Sequence, residues 1–265
     1  MNNTWYYVRV MAQLFCKDMY VFSYNWQKFA VNYVIVTPIT TIVSFGYLFT
    51  HIAMHHPTPY AITNFIVGNN LWPLFLIAFS LNIGLLFDIY GERVIDYQVT
   101  VIKPALLIVE RALFVAIISC INLLPFYPLA KLILGQTFVI THISWLQVMT
   151  ILALGSLFCS IYTIFFAFFA RGIGAIGNLF MRMNYPLIQL GGSFIPWHVM
   201  NAYSPLIGRL TYVNPMLYIT EGFRQAILGG TQFFSFSMCV CALLIFSGIF
   251  LMLALYFFKR KLDHV

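Results

Sequence analysis

Residues 191–230 read GGSFIPWHVMNAYSPLIGRLTYVNPMLYITEGFRQAILGG, a stretch apolar enough to lie in lipid yet unable to cross it. Pro196, Pro205 and Pro215 cut it into pieces shorter than the ~20 apolar residues that a spanning helix needs. Near its end stand an acid and a base, Glu221 and Arg224, spaced i, i+3. Backbone that is broken at membrane depth persists only where protein or a water-filled cavity covers it. A re-entrant helical hairpin is therefore expected at 195–230, beside a transport path.

Outward from that stretch the chain stays apolar. It is 62% hydrophobic and 8% charged, where a soluble domain is about a quarter charged. All of 1–265 thus reads as a single transmembrane domain of an all-α membrane protein, without soluble domain, internal repeat or low-complexity run. Residues 1–17 hold scattered polar residues and no short apolar core before a small-residue cleavage site. The first hydrophobic helix is expected to act as its own insertion signal. The five cysteines, Cys16, Cys120, Cys159, Cys239 and Cys241, follow no metal or disulfide spacing.

Six segments qualify as spans: 29–50, 60–87, 106–130, 143–170, 183–194 and 233–258, the fifth being short. With the N-terminus in the cytoplasm, eleven of the 14 basic residues fall at or near the inner face, and only Lys131, Arg209 and Arg224 fall outside. The net charge of +7 is thus a topology signal and no nucleic-acid signature, and both termini are expected inside. Residues 4–25 carry Arg9, Gln13 and Lys17 on one stripe, with Met11, Phe15 and Phe22 opposite. That pattern predicts an amphipathic helix lying on the inner interface.

The densest charge cluster falls in the cytoplasmic loop 88–103, where Gly91 and Pro104 bracket a short helix with Glu92, Arg93 and Asp96. It is either a solvated connector or a docking knob for a cytoplasmic partner. The glycine-rich turn 171–178 is a second inner loop, allowing close approach of a partner or simply a tight turn.

Catalytic and metal chemistry is not indicated. There is no P-loop, and Gly172-x-Gly174-x-x-Gly177 follows a span rather than a Rossmann strand. Gly191-Gly192-Ser193 is not a nucleophile elbow, because the glycine after the next residue is missing. Spacing alone allows a Ser193–His198 dyad, but His198, after Pro196 and Trp197, reads as an ordinary interfacial histidine. His51, His55 and His56, with Met54 beside them, lack a carboxylate to complete a metal site and read as a polar loop. Glu110 and Arg111 enter the third span and are expected to pair with other helices or to stay at the inner interface. Glu221 and Arg224 either satisfy each other and cap a short outer helix or gate the outer mouth.

The residues of the opening stretch resemble the signature of type-2 ABC exporter permeases: Gly191-Gly192-Ser193-Phe194, then Asn214-Pro215, Tyr218, Glu221, Arg224 and a closing Leu228-Gly229. The resemblance covers the length of the chain, with an N-terminal interfacial helix, six transmembrane helices and a hairpin between helices 5 and 6. It implies a non-catalytic permease subunit in a bacterial inner (cytoplasmic) membrane, forming a homodimer or heterodimer. Two copies of a separate ABC ATPase would bind the ATP and Mg, and Glu92, Arg93 and Asp96 would form the coupling helix. It further implies export of a drug, lipid or lipid-linked glycan, with Asn214, Pro215, Tyr218, Glu221 and Arg224 in an outer gate. Tyr218, four residues after the Asn, is closer to the drug type than to the capsule type. The alternative is an ATP-independent channel or secondary transporter. That class places an acid or histidine in mid-membrane, and spans one, two, four and six have none.

Overall fold

The computed structural model describes residues 3–53, 58–90, 103–140, 143–170 and 172–262. Among these the fold is helical throughout, with no strand. Five helical runs are long and apolar enough to cross a membrane, the mark of a membrane-embedded protein: Trp5–Ile52, Pro59–Leu85, Pro104–Thr137, Trp145–Phe169 and Phe236–Lys261. We number the elements α1 (3–53), α2 (59–90), α3 (104–134), α4 (Trp145–Phe169), α5 (176–193), α6 (Trp197–Tyr203), α7 (Pro205–Leu210), α8 (Pro215–Leu228) and α9 (Phe236–Leu262).

Proline and small polar residues set the boundaries. Pro59 and Pro104 occupy the first positions of α2 and α3, where a missing N–H costs nothing. The Thr58 hydroxyl caps α2 by accepting from Ala61 N at 3.2 Å. Within α1, Pro38 sits between two π-helical stretches, Val31–Val36 and Ile42–Phe49. The hydroxyls of Thr37 and Thr40 donate to the carbonyls of Asn32 and Val36 there, at 2.7 and 2.8 Å. Those bonds occupy backbone oxygens close to the proline.

α4 is the centre of the bundle. Of its most apolar window 83% is buried, against 22% for α1 and for α9, which leave most of their surface outward. Phe158, Tyr162 and Phe165 of α4 all meet Phe250 of α9, with ring centroids 5.2–5.8 Å apart. Asn82 of α2 donates to Thr163 Oγ1 at 2.8 Å, and Tyr162 OH donates to Asn184 Oδ1 of α5 at 2.6 Å. α4 stops at Ala170, where Lys261 Nζ donates to the carbonyls of Ala170 and Ala167 at 2.9 and 3.4 Å.

α1 differs from the expected division into an interfacial helix at 4–25 and a span at 29–50. Its backbone stays right-handed helical through Ala30, Val36, Thr37 and Thr41, so no break separates the two parts. Its amphipathic stripe packs on α3: Phe15 and Phe22 meet Phe114, Arg111 Nη1 donates to Asp18 Oδ2 at 2.8 Å, and Lys103 lies over the Tyr7 ring. Its 48 apolar-run residues extend about 72 Å at 1.5 Å each, over twice the ~30 Å of a hydrocarbon core. Part of α1 must therefore lie outside the hydrocarbon. The segment expected as the fifth span begins earlier, at 176, and is interrupted by π-helical turns at Phe180–Asn184 and Gln189–Ser193. With Asn178, Arg182, Asn184 and Gln189 in it, it is too polar to stand among the five.

The opening stretch forms α6, α7, a 3-10 turn at Thr211–Val213, and α8. The breaks expected at Pro205 and Pro215 are both present. Each break is built alike: Ser204 Oγ and Asn214 Oδ1 accept from Ile207 N and Met216 N, with proline as the first helical residue. α8 is buried along almost its whole length, Gln225 excepted. Ser144 N donates to Ala226 O at 3.0 Å, while Gly222 lies against Ile151 and Gly155 against Ile219. These contacts set α8 antiparallel to α4. Its C-terminal end stands at the start of α4, and Asn214-Pro215 lies level with the middle of α4.

Candidate functional site

The end of α5 is where the bundle would be left with unsatisfied backbone. Gly192 adopts φ +79, which frees the last carbonyls of α5 from their helical partners. Each finds a side chain from another element. Thr220 Oγ1 donates to Gly191 O at 2.7 Å, Arg224 Nη2 to Gly192 O at 2.5 Å, and Asn69 Nδ2 to Ser193 O at 3.4 Å. Asn214 Nδ2 reaches further back along α5, to Leu187 O at 2.7 Å.

Arg224 is the hub of this lattice. Besides Gly192 O, its Nη1 donates to Glu221 Oε1 at 3.0 Å and its Nε to Asn64 Oδ1 of α2 at 2.6 Å. Glu221 Oε1 also accepts the backbone N–H of Trp197 at 3.0 Å, fixing the first turn of α6. Both charged side chains are fully buried, at 0% exposure. A buried pair survives when its remaining hydrogen-bonding positions are also satisfied; here Nε, Nη1 and Nη2 are all engaged. Glu221 Oε2, by contrast, is buried and accepts nothing among the described residues. The space is cut to fit: a methyl at Gly68 would collide with the Arg224 guanidinium and the Ser193 carbonyl oxygen, and a methyl at Gly191 would lie 2.7 Å from Met216 Cβ.

An aromatic stack closes one side of the lattice. Tyr212 and Phe234 stack with centroids 5.4 Å apart, Trp197 and Tyr218 flank Phe234, and Tyr218 OH donates to Tyr212 O at 2.8 Å. Next to the lattice lies an apolar cavity of about 510 Å³, walled by Asn64, Phe65, Phe194, Pro196, Met200 and Tyr203. Asn64 is the contact between the two: it lines the cavity and accepts from Arg224.

The five residues expected at an outer gate, Asn214, Pro215, Tyr218, Glu221 and Arg224, are thus brought together, but facing inward. In this arrangement the charged pair braces α5, α6, α8 and α2 and presents no atom to the cavity. The residues expected in the coupling helix, Glu92, Arg93 and Asp96, lie outside the described residues, as do Met54, His55 and His56. His51 Nδ1 is 2.7 Å from Tyr47 O. Ser193 Oγ donates to Ile188 O, and the His198 ring stands against Phe233, so the two do not form a dyad. No group of three His, Cys, Asp or Glu stands together among the described residues.

Sequence reasoning passed over the partners from α2. Asn64, Asn69 and Asn70 sit in a span read only as uncharged, yet three asparagines on seven positions of an apolar helix are polar groups that a bundle must satisfy. Arg224 of α8 donates to Asn64, Asn69 donates to Ser193 O of α5, and Asn70 Nδ2 donates to Tyr127 OH of α3 at 2.8 Å, so the three tie α2 to three other elements. No family model, curated protein or solved structure matches the chain.

Proposed function

We propose that the chain is the permease subunit of an ATP-binding-cassette exporter, six-spanning, with the 195–230 stretch as a re-entrant hairpin between helices 5 and 6. One observation carries the reading: Asn214-Pro215 begins a buried helix level with the middle of α4, and its side chains satisfy the opened end of α5. A hairpin that dips halfway into a helical bundle and returns requires such bracing. The α5 run supplies the sixth crossing, its polar residues engaged by neighbours, as Asn184 is by Tyr162.

ATP drive comes from the resemblance of residues 191–229 to type-2 exporter permeases, together with the absence of any nucleotide-binding loop in the sequence. In this account the chain pairs with a second permease subunit in a bacterial inner membrane, both termini cytoplasmic, and is powered by two ATPase copies docked on Glu92, Arg93 and Asp96. The apolar cavity beside Asn64 suits a hydrophobic or amphipathic cargo. Replacing Glu92 and Arg93 by alanine should abolish ATPase binding to the purified chain; undiminished binding would remove the docking role from that loop.

One observation favours the second reading, an ATP-independent transporter. Glu110 of α3 is buried, and its Oε1 has no partner among the described residues. A carboxyl so placed is a candidate ion or proton carrier. Under ATP drive, Glu110→Gln leaves nucleotide-dependent transport intact; abolition of transport together with its dependence on a proton gradient would favour this alternative.

A further inference from the structure

At the opposite end of the bundle, α4, α5 and α9 leave a recess of about 670 Å³, within the range of about 300–1,000 Å³ of ordinary ligand pockets. Its floor is apolar, made by Phe168, Phe169, Leu179 and Phe257, and its rim carries Arg182 and Arg260 with Asn178 beside them. Both arginines are exposed, and among the described residues neither makes an ion pair. Lys261 lines the same recess with its ammonium on the carbonyls that end α4, so it fixes the wall.

This pairing of chemistries is unlike a solvated basic face. A charged connector has no use for phenylalanine rings behind its guanidinium groups, and a purely apolar, lipid-facing groove would carry no cations. Guanidinium groups match phosphate oxygens with paired N–H donors, and basic recesses between membrane helices take anionic headgroups. The recess also sits where the apolar run of α9 ends, in a last turn that holds Lys259, Arg260 and Lys261, and cations at the end of a spanning helix belong at the interface.

We propose that this recess binds the phosphate of an anionic phospholipid, the arginine rim holding the phosphate oxygens and the phenylalanine floor receiving the first acyl carbons. Such a site needs only membrane embedding and is independent of ATP drive.

The test uses the full chain purified in detergent and exposed to equal amounts of phosphatidylglycerol and phosphatidylcholine, with retained lipid counted by native mass spectrometry. Phosphatidylglycerol should be retained in preference. The preference should fall by on the order of 30-fold in the Arg182→Gln, Arg260→Gln double variant, at about fivefold per cation. Arg209→Gln, on the exposed side of α7, should leave it unchanged. Equal retention of the two lipids, or a preference that survives the double variant, overturns the proposal and leaves the rim as a surface for a protein partner. Complete displacement of the lipid by the same concentration of glycerol 3-phosphate also overturns it, making the recess a site for soluble phosphate esters.

Discussion

Arg224 illustrates how one side chain substitutes for water inside an apolar bundle. Its guanidinium reaches Glu221 on its own helix, Asn64 on α2 and the carbonyl that Gly192 releases at the end of α5. Removing one member of a buried pair strands the other, at a cost of about 3–5 kcal/mol. Arg224→Met and Glu221→Gln should therefore each lower the unfolding midpoint in detergent. Combined, they should cost clearly less than the sum of the two, because the second substitution removes a charge already stranded. Additive losses would show that the two side chains act separately. Gly68→Ala should be at least as damaging, since its methyl has no free volume between the guanidinium and Ser193 O. An unchanged midpoint for that variant would mean that α2 and α5 pack further apart than described.

At the scale of elements, the decisive feature is the depth at which α8 begins. Its 14 residues are about 21 Å long, and its C-terminal end is fixed at the start of α4. Spin labels placed singly at Val213 and at Thr231, both exposed, read this depth. The exposed Cys16 and Cys241 would first be replaced. The label at Val213 should lie about 15–20 Å deeper in the bilayer than the label at Thr231, seen as higher oxygen and lower nickel accessibility. Equal depth for both would make the hairpin a surface cap. The breaks within 195–230 were legible in the sequence because they are local: a polar cap and a proline at consecutive positions, and an acid and base one helical turn apart. The bond from Arg224 to Asn64 spans 160 residues and follows from no spacing rule. The uninterrupted course of α1 was illegible for a different reason. An amphipathic stripe reads alike whether its apolar side faces lipid headgroups or, as here, Phe114 of a neighbouring helix.

Across the whole molecule, apolar burial, polar satisfaction and charge divide by position. α4 fills the centre, the polar lattice of α2, α5 and α8 occupies one end, and Arg182, Arg260 and Lys261 gather at the other. The apolar runs of α2, α3, α4 and α9 were readable from composition; the start of the span in α1 was not, because the helix runs on unbroken, nor was α5, whose interrupted helix carries too many polar residues for its length. The identity of the energy source is a property of the assembly and rests on the resemblance of the hairpin residues. It is tested most directly by capturing the full chain from native membranes under mild detergent and measuring ATP hydrolysis and particle mass in the eluate. The account predicts a vanadate-sensitive ATPase in the eluate, with two copies of this chain or one copy and a second permease for every two ATPase subunits. A chain that elutes without any ATP-hydrolysing partner, yet still transports on its own in vesicles lacking nucleotide, would contradict it.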